Sequence, residues 1–233
     1  MKILLICGHG AGDPGAVGNG FREADLVRDI APTLKDILSD YADVTLFNPN
    51  QNMYEFLKAG NQFGFRAYDY VFELHFNAFD KKATGTEIIV HKTEEGTSVE
   101  QTIVDNIAKL GFTNRGVKKR DNLMNMNVCK KQGVSYALLE TCFIDNANDM
   151  KQYMSRKNAV IKAIANGIID GFGLGESTPE VKEYTDINDI VWELGERGIV
   201  SDKDGMIEEM NQNPNGRLYW LARKAVHYIR ERD

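Results

Sequence analysis

Only four histidines occur in the chain, and two of them, His9 and His75, directly follow or end short apolar runs of strand character. A side chain at such a position projects into the cleft at a sheet edge. Glu23 lies between them in sequence, near the start of the first long helical pattern, so one carboxylate can join two imidazoles if the intervening loop folds back. Two histidines and a glutamate are a ligand set for catalytic zinc, which keeps a fourth position for water or substrate. The separation is not a compact motif such as His-Glu-x-x-His, and spacing alone leaves a structural role for these side chains open. The loop itself, Gly8-His9-Gly10-Ala11-Gly12-Asp13-Pro14-Gly15, has the composition of a backbone that turns tightly or comes close to another group.

Other polar residues have competing explanations. Glu87 follows Gly85 and reads either as a carboxylate near the cleft or as a solvated strand end. Asn77 reads as a structural partner within the His75 turn or as a group that orients a ligand, and Arg115 and Lys118 as cations able to attract the carboxylates of a peptide stem or as ordinary surface charges. His91 and His227 read as structural or solvated, and Cys142 as a small buried hydrophobe rather than a nucleophile. Asp202-Lys203-Asp204-Gly205 lacks the spacing of a calcium-binding loop and reads as a helix start.

The elements that must position these groups follow from periodicity. Residues 2–7, 43–47, 70–75, 86–90 and 136–141 have strand patterns. Between them, Leu26, Val27, Ile30, Leu34, Ile37 and Leu38 recur at helical spacing, as do Ile103, Val104, Ile107 and Leu110, and then Val160, Ile161, Ile164, Ile168 and Ile169. This alternation predicts an α/β domain over residues 1–175, an open, twisted, mainly parallel sheet flanked by helices, with its ligand site at the carboxyl ends of the strands. A glycine-rich run closed by Pro179 reads as a linker. Residues 180–233 predict a small helical unit: a stripe Ile187, Ile190, Val191 and Leu194, a helix capped by Ser201 or Asp202 running to Met210, and a helix carrying Leu218, Leu221, Ala222, Ala225, Val226 and Ile229.

Of the 233 residues, 42% are hydrophobic and 27% charged, which excludes a disordered or collagen-like chain. A net charge of -6 and a pI near 5.4 argue against nucleic acid as a partner, since phosphate binding concentrates Lys and Arg. Cys7, Cys129 and Cys142 are odd in number and have no Cys-x-x-Cys spacing, so free thiols are expected. The apolar N-terminal run is too short for a signal-peptide core, and no stretch reaches transmembrane length. The expectation is synthesis in the cytoplasm without stable membrane insertion, with any later exit by another route.

Several motifs occur in order. They are residues 8–16 (Gly-His-Gly-Ala-Gly-Asp-Pro-Gly-Ala), Glu23 opening a long helix, His75-Phe76-Asn77-Ala78, Gly85-Thr86-Glu87, Arg115-Gly116-Val117-Lys118, and the run from Leu139-Glu140-Thr141 to Asp145-Asn146. Together, over about residues 2–172, the sequence resembles the zinc-dependent N-acetylmuramoyl-L-alanine amidase family of bacterial wall amidases and phage endolysins. The resemblance implies that His9, Glu23 and His75 bind Zn2+ and that Glu140 is the catalytic carboxylate. Two departures stand out: Ala11-Gly12 replaces the usual second glycine of the opening, and Glu73 stands two residues before His75, where the family often has a small polar residue. Neither is expected to touch a ligand.

Zinc lowers the pKa of a bound water to about 7 and polarises an amide carbonyl. Glu140, outside the ligand set, would take a proton from that water and pass it to the leaving amine. The expected reaction is hydrolysis of the amide between N-acetylmuramic acid and L-alanine in bacterial peptidoglycan. A zinc peptidase cutting within the stem peptide and a non-catalytic wall-binding protein are the alternatives. The C-terminal unit is expected to aid wall engagement or homo-oligomer formation, with Arg217, Arg223, Lys224, Arg230 and Arg232 beside Tyr219, Trp220 and Tyr228. An endolysin, held in the cytoplasm and acting on the wall after release, is the expected biological setting.

Overall fold

Residues 3–7 are apolar on both faces of the pleat, the pattern of a strand covered by helices on each side, and all five side chains are buried. They belong to β1 (Lys2–Cys7), near the middle of the sheet in a computed structural model that describes residues 1–175, Val191, Leu194 and 201–212. The chain divides into two compact units, Met1–Gly175 and Glu176–Asp233.

In the first unit a two-stranded hairpin, β2 (Val17–Gly18) and β3 (Phe21–Arg22), precedes α1 (Glu23–Ser39). Then come β4 (Asp43–Leu46), α2 (Met53–Lys58), β5 (Tyr70–Asn77), β6 (Thr86–His91) and α3 (Ser98–Ala108). The unit continues with β7 (Asn114–Arg120), α4 (Met124–Lys131), β8 (Ser135–Phe143) and α5 (Ala147–Gly171). Six strands form one sheet in the order β4-β1-β5-β8-β6-β7. Every pairing is parallel except β6 with β8, so the sheet is mainly parallel, as the alternation of strand and helix patterns predicts.

The helical stripes face the core. Leu26, Val27, Ile30 and Leu34 of α1, Ile103 and Ile107 of α3, and Ile161, Ile164 and Ile168 of α5 pack with Ile3, Leu5, Phe72 and Leu139 on one face of the sheet. On the other face Met53 of α2 and Met126 and Cys129 of α4 cover Leu4, Ile6, Val71 and Leu138. Burying each such large apolar side chain contributes roughly 1.5–3 kcal/mol, so the two layers fix the sheet from both sides.

Three features were not legible as elements in the sequence. β7 carries Arg115, Lys118, Lys119 and Arg120, and it is an edge strand, where charge rather than alternating apolarity is favoured because it discourages pairing with other chains. α2 and α4 are only six and eight residues long, too short to establish a helical stripe. β8 continues to Phe143, which places Glu140 inside the strand rather than at its end. That extension is anchored by Asp149, whose buried carboxylate accepts from the backbone of Gly85 at 2.8 Å and of Phe143 at 3.0 Å and from the Thr84 hydroxyl. The start of β6 and the end of β8 are thereby tied to α5.

In the second unit α6 (Lys203–Gln212) begins where the sequence predicts, with Asp202 Oδ1 accepting from Gly205 N at 3.0 Å as an N-terminal cap. Val191 and Leu194 are buried. The remainder of the Ile187–Leu194 stripe, the basic and aromatic helix around Trp220, and His227 lie outside the described residues.

Candidate metal centre

β1 and β5 run side by side and parallel, with Cys7 opposite Leu74, so the segment leaving β1 and the carboxyl-terminal part of β5 bring His9 and His75 together. Their rings meet edge to face with centroids 4.9 Å apart. The approach demands glycine at two points. A Cβ on Gly8 would lie 2.4 Å from His75 Cε1, and one on Gly15, whose φ is +65°, would lie 2.7 Å from both Glu23 Oε2 and His9 Cδ2. His9 itself has φ +56°, a left-handed conformation that costs a non-glycine residue about 1–3 kcal/mol. Arg28 holds the segment in place: its guanidinium donates to the carbonyls of Gly8, His9, Ala24 and Pro49 at 2.7–3.0 Å.

Glu23 arrives by the fold-back that its place in the sequence required. Asn19 and Gly20, both at positive φ, turn the β2–β3 hairpin. The backbone of Glu23 then donates to the Ala16 carbonyl at 2.9 Å, and Glu23 opens α1. Its buried carboxylate faces both imidazoles, with Oε2 3.1 Å from His9 Nε2 and Oε1 2.8 Å from His75 Nδ1. It also accepts from the backbone of Ala16 at 2.8 Å and of Phe76 at 2.9 Å. One donor atom from each of His9, Glu23 and His75 lies within 4.8 Å of the other two.

The electrostatics follow from this enclosure. Burial opposes ionisation of Glu23, but hydrogen bonds and charge from His75 and His9 outweigh it and hold the carboxyl well below the usual range. Burial likewise opposes protonation of His75 and His9, and their carboxylate partners reverse the balance, raising both imidazoles. The outward nitrogens have carboxylates too: His9 Nδ1 lies 2.8 Å from Asp13 Oδ2, and His75 Nε2 lies 3.1 Å from Glu73 Oε1. The expectation that Glu73 touches no ligand residue is therefore corrected. Side chains two apart on a strand share a face, so Glu73 was placed to reach His75 from the outset, and alternation along residues 70–77 is the signal that carried this information.

His75, Glu140 and Glu87 are register partners across β5, β8 and β6 and so form a row. Burial pushes the Glu140 carboxyl up to about 7; the charge of His75 opposes the rise, and those of Glu23 and Glu87 add to it. Its Oε2 is buried with no hydrogen-bond partner among the described residues. Glu87 is buried rather than solvated, ion-paired with Arg115 Nε at 2.8 Å and accepting from Asn77 at 3.2 Å. Arg115 and Asn77 thus serve this carboxylate within the fold. Cys142 is fully buried, and burial pushes its thiol well above the ordinary value, which disfavours a thiolate nucleophile. All three cysteines are free and buried. His91 contacts Thr93 locally, its Nδ1 2.8 Å from the hydroxyl.

A cavity of about 270 Å³ reaches His9 and His75 and is lined also by Asn52, Tyr54, Glu73 and Met124. Tyr54 and Met124 also line a groove of about 870 Å³ between α2 and α4. The donor set therefore sits at the carboxyl ends of parallel strands, where open α/β sheets bind ligands.

The family model described as N-acetylmuramoyl-L-alanine amidase matches residues 3–170. The chain belongs to this family. His9, Glu23, His75 and Glu140 all lie within the matched amidase domain. A probable autolysin of Staphylococcus aureus is 33% identical over 190 residues, covering 75% of this chain and 39% of the relative. The endolysin of Bacillus phage SPP1 is 27% identical over 179 residues, 72% of this chain and 64% of that protein. The chain thus spans less than two thirds of either relative. The solved structure of an N-acetylmuramoyl-L-alanine amidase from Neisseria meningitidis superposes with a TM-score of 0.60 at 28% identity, covering 74% of this amidase chain and 96% of that one.

Proposed function

We propose that the chain is a zinc-dependent peptidoglycan amidase that hydrolyses the bond between N-acetylmuramic acid and the L-alanine of the stem peptide. The observation that carries this reading is the convergence of His9 Nε2 and His75 Nδ1 on the two oxygens of one buried carboxylate, Glu23, beside a second carboxylate with an unpaired oxygen. Two imidazole nitrogens and a carboxylate fit the donor preference of zinc, and three protein ligands leave a position open for catalysis. When bound, zinc supplies an electrophile for the amide carbonyl and lowers the pKa of water to about 7.

The protein's own groups do the rest. Glu23 and the two histidines bind the ion and fix its place at the cleft floor. Glu140 accepts the proton of the attacking water and returns it to the departing amine of L-alanine. In the metal-free protein burial raises this carboxyl toward neutrality, the range in which one group can both take and give a proton.

The C-terminal unit aids engagement of the polymeric wall or association with a second copy. The biological setting we favour is an endolysin that reaches the wall after release from the cytoplasm, a reading supported by the similarity to the phage relative; among the described residues no helix is long and apolar enough to cross a membrane. Removing metal with a chelator should abolish muropeptide hydrolysis, and added zinc should restore it with release of a stem peptide bearing a free L-alanine amine. Full activity in metal-free protein would refute the zinc assignment, and cleavage within the stem would redefine the enzyme as a peptidase.

A further inference from the structure

β5 is a central strand, and around Glu73 the face carrying His75 is apolar: Val71 on the same strand and Leu138 opposite Glu73 on β8 both belong to the cluster under α2 and α4. Glu73 occupies this face with a side chain only 6% exposed. A buried carboxylate is costly unless its oxygens are satisfied, and here they are. Asn125 Nδ2 donates to Oε2 at 2.9 Å and to Oε1 at 3.1 Å, and the Tyr136 hydroxyl donates to Oε2 at 2.6 Å. Asn125 comes from α4 and Tyr136 from β8, so two separate elements aim the carboxylate, and Oε1 meets His75 Nε2 at 3.1 Å.

We propose that Glu73 is a positioning residue for the metal site, holding the proton of His75 on Nε2 and thereby directing Nδ1 to the ion. The inference rests on the reading of His75 as a metal ligand. A neutral imidazole has one protonated nitrogen, and the hydrogen bond made by that nitrogen decides which one remains as ligand. Glu73 selects Nε2 for the proton, which leaves Nδ1 on the side of Glu23 and His9. His9 has a counterpart arrangement with Asp13, but that carboxylate is 45% exposed and sits in the glycine loop. Asp13 also accepts from Gly15 N at 2.9 Å and Asn52 Nδ2 at 3.3 Å, but at the surface, whereas Glu73 is buried and braced by two neighbouring elements. The binding geometry at His75 is therefore built into the sheet.

The test is zinc titration of metal-free full-length protein against a competing chromophoric chelator, with nitrogen NMR of the His75 ring in the zinc-loaded state. Glu73→Ala should weaken zinc binding by about 10–100-fold. Glu73→Asp keeps the charge but withdraws the carboxylate by one methylene, and it should also weaken binding. Glu73→Gln keeps an acceptor for the Nε2 proton and should retain most of the affinity and the wild-type tautomer. Wild-type zinc affinity in a folded Ala variant, or in the Asp variant if the Ala variant does not fold, would overturn the role of Glu73. So would a His75 protonated on Nδ1 in the zinc-loaded wild-type protein. Failure of the wild type to bind zinc in the same titration would instead overturn the metal reading itself.

Discussion

Glu87 and Glu140 are direct partners across the antiparallel β6–β8 pair, and among the described residues Glu87 alone of the two has a salt bridge, with Arg115 at 2.8 Å. Asn77 adds a second donor to Glu87, whereas Oε2 of Glu140 is buried without a hydrogen bond. Two carboxylates from neighbouring strands are thus set to different tasks by their surroundings. Glu87, paired with Arg115, holds the strand ends together, and on the proposed function Glu140 would keep an oxygen free for a reacting group.

Replacing Glu140 by Gln retains its size but removes its capacity to accept a proton. Turnover should fall by at least about 100-fold, the lower range for a general acid–base group, while zinc content measured by metal analysis stays at the wild-type level. Parallel loss of zinc and activity would make Glu140 a ligand and require the role of Glu23 to be redrawn.

The same substitution should change the pH dependence of stability in metal-free protein. A carboxyl raised from 4.5 to about 7 in the folded state favours folding relative to its ionised form. That contribution is fully present below pH 4.5 and is lost as pH rises through 7. Glu140→Gln should therefore gain stability relative to wild type between pH 5 and 8, by an amount on the order of 3 kcal/mol. Denaturant unfolding at the two pH values measures the difference, and a pH-independent gap would show that Glu140 is not strained by its burial.

At Gly8, an added methyl group meets the His75 ring directly. Gly8→Ala places Cβ 2.4 Å from His75 Cε1 and requires the imidazole to move. Zinc affinity should drop at least about 10-fold, as expected when a ligand loses its orientation, with the circular-dichroism spectrum of the folded sheet retained. Unchanged affinity would mean that the two segments can separate freely.

Chain removal after Gly175 tests the division of labour between the two units. All four residues proposed for chemistry precede that boundary, and the first unit contains both apolar layers of the sheet. The truncated protein should bind zinc and cleave a soluble muropeptide at the wild-type rate while lysing intact walls more slowly. Equal losses on both substrates would assign the C-terminal unit to the catalytic fold.

Local pattern sufficed for much of this protein. Apolar runs such as residues 3–7 and stripes such as Leu26, Ile30 and Leu34 define their elements because burial on a strand or helix imposes its own period. The ordered motifs around His9, Glu23, His75 and Glu140 likewise identified the residues that the fold brings to one end of the sheet. Tertiary structure decided what periodicity does not encode. The charged edge strand β7 exists because β6 supplies its partner, and the antiparallel pairing of β6 with β8 within the mainly parallel sheet is what sets Glu87 beside Glu140. Alternation placed Glu73 on the face of His75, but only the convergence of Asn125 from α4 and Tyr136 from β8 made a buried carboxylate affordable there and turned it toward the ring. Hydrogen bonds between residues about 50 or more positions apart depend on how the layers pack, and no local sequence period specifies that.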